Sequence, residues 1–450
     1  MSSSTPVRRV AITGLGLISP LGNTHQALWE ALTSGRSGVT ALEAGQGSAL
    51  TAPFAGICRD FHDSEIEDFG ELEGGKKGDK AKAIRKGLKV MCRECQMGVA
   101  AAERAIQDAA LTSAGRDPER SGVVFGTDYM LSEPEEFGTG ILACTDEERK
   151  FAFEKWAQQG MTKMTPLWLL KYLPNMPASH IAIYNDLRGP NNSLTLREAA
   201  GNLAVGEAVR VIQRGHADVM IAGATGTRIH TMKAVHSSLQ EEIAPGTNGS
   251  GPVDPAKACR PFDADRSGTV LGEGAGVVVL EELEHAKARG ATIYAELAGF
   301  GSSTAADKNR VALRDLALAN AMRAALRDAE ATPIAVGHIQ AHGLGTHTAD
   351  EAEARAIRDV FGGTKADVPV TAAKSYFGNL GAGSGIVELI SGALALHHNK
   401  LFPTLNYAKP DAACELNVVR EATSPGNSFL NLSVTPQGQA SVVFVKRYVA

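Results

Sequence analysis

Aromatic residues are scarce in this sequence, at 5% of 450 positions. Long hydrophobic runs are missing too: none approaches the ~20 apolar residues of a bilayer span. A membrane-spanning helix is therefore not expected. Cysteine is sparse. The six (Cys58, Cys92, Cys95, Cys144, Cys259 and Cys414) are scattered and suggest no disulfide framework. Cys92 and Cys95 form one CxxC, but no second pair completes a zinc site, so both read as ordinary helical residues. Positive charge is not in excess. The formal net charge of −5 argues against a dedicated nucleic-acid binder. The opening "MSSSTPVRRVAITGLG" has no apolar h-region and no cleavage site, which points to a cytoplasmic protein.

Glycine, in contrast, is plentiful, with 48 residues. That favours tight turns and close backbone approaches. Apolar residues make up 44% and charged residues 21%, the balance of a globular chain with a sizeable core. At roughly 100–200 residues per domain, the length suits two or three domains or one large duplicated unit. Strand-like runs ("RRVAITGL", "SGVVFGT", "ADVMIAGA", "GAGVVVLEEL", "GHIQAHG", "ASVVFVKRY") alternate with helix-like runs such as "LAVGEAVRVIQRG", "DLALANAMRAALRDA" and "DEAEARAIRDVF". This alternation indicates an α/β layered sheet. Two halves can be sketched, each opening on a strand and a Gly-rich turn ("VAITGLGLISPLG" and "IQAHGLGTHTAD"). "GLGLIS" mimics a dinucleotide fingerprint, but Ser19 replaces the third Gly and the next helix is delayed, so a packing turn is expected. Residues 130–165 read as a long insertion of the kind that caps a binding site. An acidic run over 60–73 precedes a basic run over 76–93. The two neutralise each other or, alternatively, the basic run docks an acidic protein.

Several stretches carry candidate chemistry. In "GPNNSLTLREAAGN" a polar, β-prone run stops at Arg197-Glu198 and a helix-like run follows. A sharp strand-to-helix turn presents one reactive side chain at a helix N-terminus. Its candidate apex is Glu198, a carboxylate where Ser or Cys is usual. His342 follows a strand in "IQAHGLGT", well placed for acid–base work or for donation to an oxyanion. Lys374 and Asn379 lie in "KSYFGNLGAG". Asn379 donates its amide to a carbonyl, orients a His, or simply supports a Gly-rich turn. Asp263, Asp265 and Glu273 fit a structural turn ahead of two buried strands rather than a calcium loop.

Taken together, "RPFDADRSGTVLGEGAGVVVLEELEHAKARGA", "AHGLGT", "DEAEA" and "LRGPNNS" resemble the β-ketoacyl-acyl-carrier-protein synthases of fatty acid and polyketide synthesis. The resemblance runs the length of the chain. It implies a thiolase-like duplicated α/β/α/β/α five-layer fold, with halves of about 1–255 and 256–450 and a two-fold dimer. It implies acyl carrier protein as partner, whose phosphopantetheine arm brings the substrate, and no other cofactor or metal. In such enzymes a Cys takes the acyl group and two His promote decarboxylation of a malonyl thioester.

By the same resemblance the Cys position is Glu198, the first His is His342 and the second is Asn379. Lys374 and Glu353 are retained, and Thr346 remains in the His loop. The gating Phe position falls on Thr435, beside a stiffening Pro436. Glu198 cannot hold a stable acyl thioester, so the usual condensation is not expected. The main expectation is other acyl-thioester chemistry at Glu198, His342, Asn379 and Lys374, supported by Glu353, Thr346, Arg197 and Thr435. Glu198 would be a base or would raise the pKa of His342, and Arg197 or Lys374 would pair with it. The alternative is a non-catalytic partner of a Cys-bearing ketosynthase, as chain-length factors are, in a homo- or heterodimer.

Overall fold

The computed structural model describes residues 7–43, 52–69, 78–248, 251–362 and 366–449. Its centre is one mixed sheet of eleven strands. In chain order these are β1 (Val10–Ile18), β2 (Ser121–Thr127), β3 (Asn191–Thr195), β4 (Val219–Thr227), β5 (Glu273–Glu282), β6 (Ala295–Thr304), β7 (His338–Gln340), β8 (Ala366–Thr371), β9 (Leu416–Val418), β10 (Ser428–Val434) and β11 (Gln439–Lys446). Across the sheet the order is β9-β8-β7-β10-β11-β6-β1-β5-β4-β2-β3. Every residue of β1, β2 and β4 is buried. Covering on both faces explains why these runs are almost continuously apolar or small instead of alternating.

The pairing repeats. From β1 outward, β5 and β4 add antiparallel, then β2 and β3 add parallel. From β6 outward, β11 and β10 add antiparallel, then β7 and β8 add parallel. β1 and β6 join the two sets, and β9 extends the far edge. The pattern thus starts over at β6: the counterpart of "VAITGLG" is "AELAGFG", not the later His342 turn. The two pairs of glycines do the same work. A Cβ on Gly14 or Gly16 would lie 2.3 Å from the Ala105 carbonyl oxygen and 2.1 Å from that of Ala101. On Gly299 or Gly301 it would lie 2.4 Å from Ala325 O and 2.2 Å from Ala321 O. Only glycine lets a helix backbone approach a strand this closely. The "GLG" is a packing device.

The main helices are α1 (His25–Ser34), α2 (Asp79–Leu88), α3 (Arg93–Asp108), α4 (Pro134–Ala143), α5 (Ala200–Gln213), α6 (Arg314–Asp328), α7 (His347–Phe361) and α8 (Ser384–His397). Thr24 caps α1 through Ala27 N–H, and Gly35 closes it at φ 73°. α8 is buried from Ser384 to Leu396, as a helix apolar on all sides must be. It shares a central core with α5 and strands of both halves (Val278, Phe429, Val443). α3 packs in one outer core and α6 in the other. The two repeats of this joined sheet, with α5 and α8 in the central core and α3 and α6 in the outer ones, give the layered thiolase-like arrangement that the resemblance implied.

The insertion after β2 forms α4 and then short 3-10 and π turns as far as Tyr172. Of the charged runs, Glu71, Glu73, Lys76 and Lys77 lie outside the described residues. Cys92 sits at the N-cap of α3 and Cys95 within it. Among the described residues no helix is long and apolar enough to cross a membrane.

Candidate active site

Parallel strands carry their C-terminal ends to the same edge, where open α/β sheets gather functional groups. Here both repeats do so. Asp128, Glu198 and Arg228 follow the ends of β2, β3 and β4. His342, Lys374 and Thr435 follow β7, β8 and β10. After β3 the chain turns through Arg197, whose φ of 52° is unusual for a residue with a side chain. It then enters a short 3-10 turn, Arg197–Ala199, and α5. The strand-to-helix turn expected from the sequence is present, and Glu198 is buried inside it.

Glu198 is held by cations. Its Oε1 accepts from Arg228 Nη2 at 2.5 Å and from Asn379 Nδ2 at 3.4 Å. Arg197 Nε lies 3.5 Å from Oε2. Arg228, itself 1% exposed, also places Nη1 2.5 Å from Asp128 Oδ2, so one guanidinium bridges two buried carboxylates. Burial alone would push the Glu198 pKa up. Arg228 and then Arg197 outweigh that and hold it well below the usual carboxylate range. The carboxylate is therefore ionised. Burial works against the Arg228 charge as well, but Glu198 and Asp128 secure it.

His342 is buried. Its backbone N–H donates to Glu353 Oε1 at 2.7 Å, and the next N–H, of Gly343, donates to Oε2 at 2.8 Å. Glu353 thus fixes the His turn. Burial raises its pKa to about 8 against the two N–H donors. Burial, then Lys374, drives the His342 pKa well below its ordinary value, although Glu198 pulls the other way. A raised His342 pKa, expected from a dyad with Glu198, is not what this environment favours: burial, then Lys374, outweigh the Glu198 charge and favour the neutral imidazole. Its Nδ1 has no hydrogen-bond partner. Lys374 does not reach Glu198, since its ammonium pairs with the buried Glu388 carboxylate.

Asn379 supports the Gly-rich turn, and its amide donates to a carboxylate rather than to a carbonyl. Its Nδ2 reaches Glu198, and its Oδ1 accepts from Gly381 N–H at 3.0 Å. Thr346 is the N-cap of α7, bonded to Ala349 N–H at 3.2 Å, and does not line the pocket. Thr435 closes a tight turn between β10 and β11: its N–H donates to Gln439 O at 2.9 Å, and its carbonyl accepts from Gly438 N–H at 3.0 Å. Arg197 donates to Gln240, and Arg314 Nη2 to Glu241 at 2.7 Å. Glu198, His342, Asn379, Val434 and Pro436 line one pocket, with a cavity volume of only about 10 Å³. A single water needs ~10–15 Å³.

Two family profiles match, "Beta-ketoacyl synthase, N-terminal domain" over residues 7–286 and "Beta-ketoacyl synthase, C-terminal domain" over 294–408. The chain belongs to the β-ketoacyl synthase family. Among relatives of this ketosynthase-like chain, the 3-oxoacyl-[acyl-carrier-protein] synthase 2 of Synechocystis sp. is 33% identical and covers 94% of this chain and 92% of its own. That of Coxiella burnetii is 34% identical, covering 92% and 91%. Among solved structures, AntDE:AntF is described as a type II PKS acyl-carrier protein in complex with its ketosynthase bound to the hexaketide. It superposes with TM-score 0.81 at 27% identity over 98% of this chain and all of that one. The ishigamide ketosynthase/chain length factor gives TM-score 0.80 at 28% identity over the same shares.

The sequence reading missed Asp128 and Arg228. A signal for both was present: each is a charged residue directly after a buried strand, "FGT-D" and "TGT-R". Knowing that β2, β3 and β4 are parallel neighbours would have brought them to Glu198. Among the described residues no group of His, Cys, Asp or Glu is placed to hold a metal.

Proposed function

We propose that this ketosynthase-family protein is a non-condensing subunit that pairs with a Cys-bearing ketosynthase of fatty acid or polyketide synthesis. The observation that carries this reading is the Glu198–Arg228–Asp128 clamp in a pocket of about 10 Å³. An ionised carboxylate in the Cys position opposes the negative charge that builds on a thioester oxygen or enolate. It is also a weak base, because Arg228 and Arg197 hold its pKa low. No acyl chain fits beside it.

Surface features support a protein partner. Among the described residues β3 pairs on one side only, with β2, and leaves an open sheet edge. The insertion exposes Leu142, Phe151, Phe153, Met161, Leu167 and Leu169. Exposed apolar residues gathered in one segment fit an interaction surface. For the acidic carrier protein, α2 and its C-terminal flank expose Lys82, Lys86 and Lys89. The unpartnered Nδ1 of His342 favours the second reading, decarboxylation of a malonyl thioester without condensation.

Co-expression with a Cys-bearing ketosynthase tests the proposal. The expected result is a stable one-to-one complex whose condensing activity exceeds that of the ketosynthase alone. A ketosynthase that neither binds this chain nor changes in activity would remove the basis for it.

A further inference from the structure

A second cavity, of about 780 Å³, lies beside the clamp yet apart from it. Alternate residues of one segment face the two: Arg228 lines the small pocket, Thr227 and Ile229 the large one. They share no lining residue. The volume falls in the ~300–1,000 Å³ range of small-molecule sites.

The Arg and most of the Glu side chains on its wall are already paired within the protein; Glu133 stays half-exposed. Glu273 binds Arg93 at 2.7 Å and the Cys58 N–H at 3.2 Å. Glu94 binds Lys233 at 2.5 Å and Thr227 N–H at 3.1 Å. Arg59 binds Glu43 at 3.0 Å. Five apolar side chains, Leu42, Ile57, Phe61, Leu131 and Ile229, line the rest of it together with the more polar His62 and Tyr172. One donor stands out. His230 Nδ1 accepts the Met232 N–H at 3.2 Å, so Nε2 carries the ring proton. The His230 side chain is 7% exposed, and Nε2 lies 3.3 Å from the half-exposed Glu133 carboxylate without forming a hydrogen bond. A buried donor left open in this way favours a ligand that supplies an acceptor.

We propose that this cavity binds an uncharged, mainly apolar carbonyl compound, whose oxygen accepts from His230 Nε2–H. A carboxylate would enter without a free cation to meet it, at a steep desolvation cost. The inference does not depend on the partner reading, since Glu198 takes no part in the cavity.

The test uses the full chain, Nile red as an uncharged fluorescent probe, and two competitors, methyl nonyl ketone and decanoate. The ketone is expected to displace the dye at a concentration at least about tenfold below that of decanoate. Leu131→Trp and Ile229→Trp, which fill the cavity, are each expected to weaken dye binding at least about tenfold at unchanged melting temperature. Glu198→Gln is expected to leave it unchanged. Equal displacement by decanoate overturns the proposal. So does dye binding that survives both Trp variants, which would place the dye on the exposed apolar surface instead.

Discussion

Replacing Arg228 should cost more stability than replacing Glu198, and the difference follows from the geometry of the clamp. Arg228 bridges Glu198 and Asp128, each at 2.5 Å and all three about 1–3% exposed. Arg228→Met strands two buried carboxylates, leaving Glu198 only the looser contacts with Arg197 and Asn379. Breaking a buried pair from one side costs about 3–5 kcal/mol. Glu198→Gln keeps Arg228 paired with Asp128 and keeps an acceptor at Oε1, so about 1–3 kcal/mol is expected. The two sites touch, so their effects should not add; a coupling of about 2 kcal/mol is in range for such neighbours. Guanidinium unfolding of the parent, both single variants and the double variant measures all of this. A residue kept for chemistry usually costs stability, and its removal is neutral or stabilising. If Arg228→Met proves neutral, or Glu198→Gln stabilises the fold, the clamp is not structural and the reasoning fails.

Two further outcomes are expected. Glu353 has its pKa raised to about 8 from 4.5, so the folded chain holds that proton through neutral pH. Its contribution is full below about pH 4.5 and is lost as pH rises toward 8, so the melting temperature should fall across that window. Glu353→Gln should flatten the fall, and an unchanged pH profile would remove Glu353 as its source. The basic face of α2 should bind carrier protein through screened charges. Reversing Lys82, Lys86 and Lys89 to Glu should weaken binding about tenfold at low salt and much less at high salt; a salt-independent loss would point to misfolding instead.

Much of the fold was legible because periodicity and burial agree. "VAITGLGLI" and "VMIAGATGT" are buried on both faces, so their apolar runs stand out against the helices between them. The turn at Arg197-Glu198 was legible too, from a β-prone run meeting an Ala-rich one. The repeat was harder to see. Its opening strands share only small residues, and its true echo, Gly299 and Gly301, is visible only once a helix is seen lying on it. Charge partners were least legible. Lys374 looked free to meet Glu198, but Glu388, fourteen residues on, takes its ammonium. Arg228 and Asp128 meet Glu198 through the lateral order of three strands, which no local pattern encodes.

The most direct test of a clamped, non-catalytic Glu198 is to incubate the purified chain with malonyl-carrier protein and follow the intact mass of both proteins. The expected result is no loss of CO2 from the carrier and no acyl adduct on the chain. Carbon dioxide loss that persists with the parent protein and disappears in His342→Ala would contradict it.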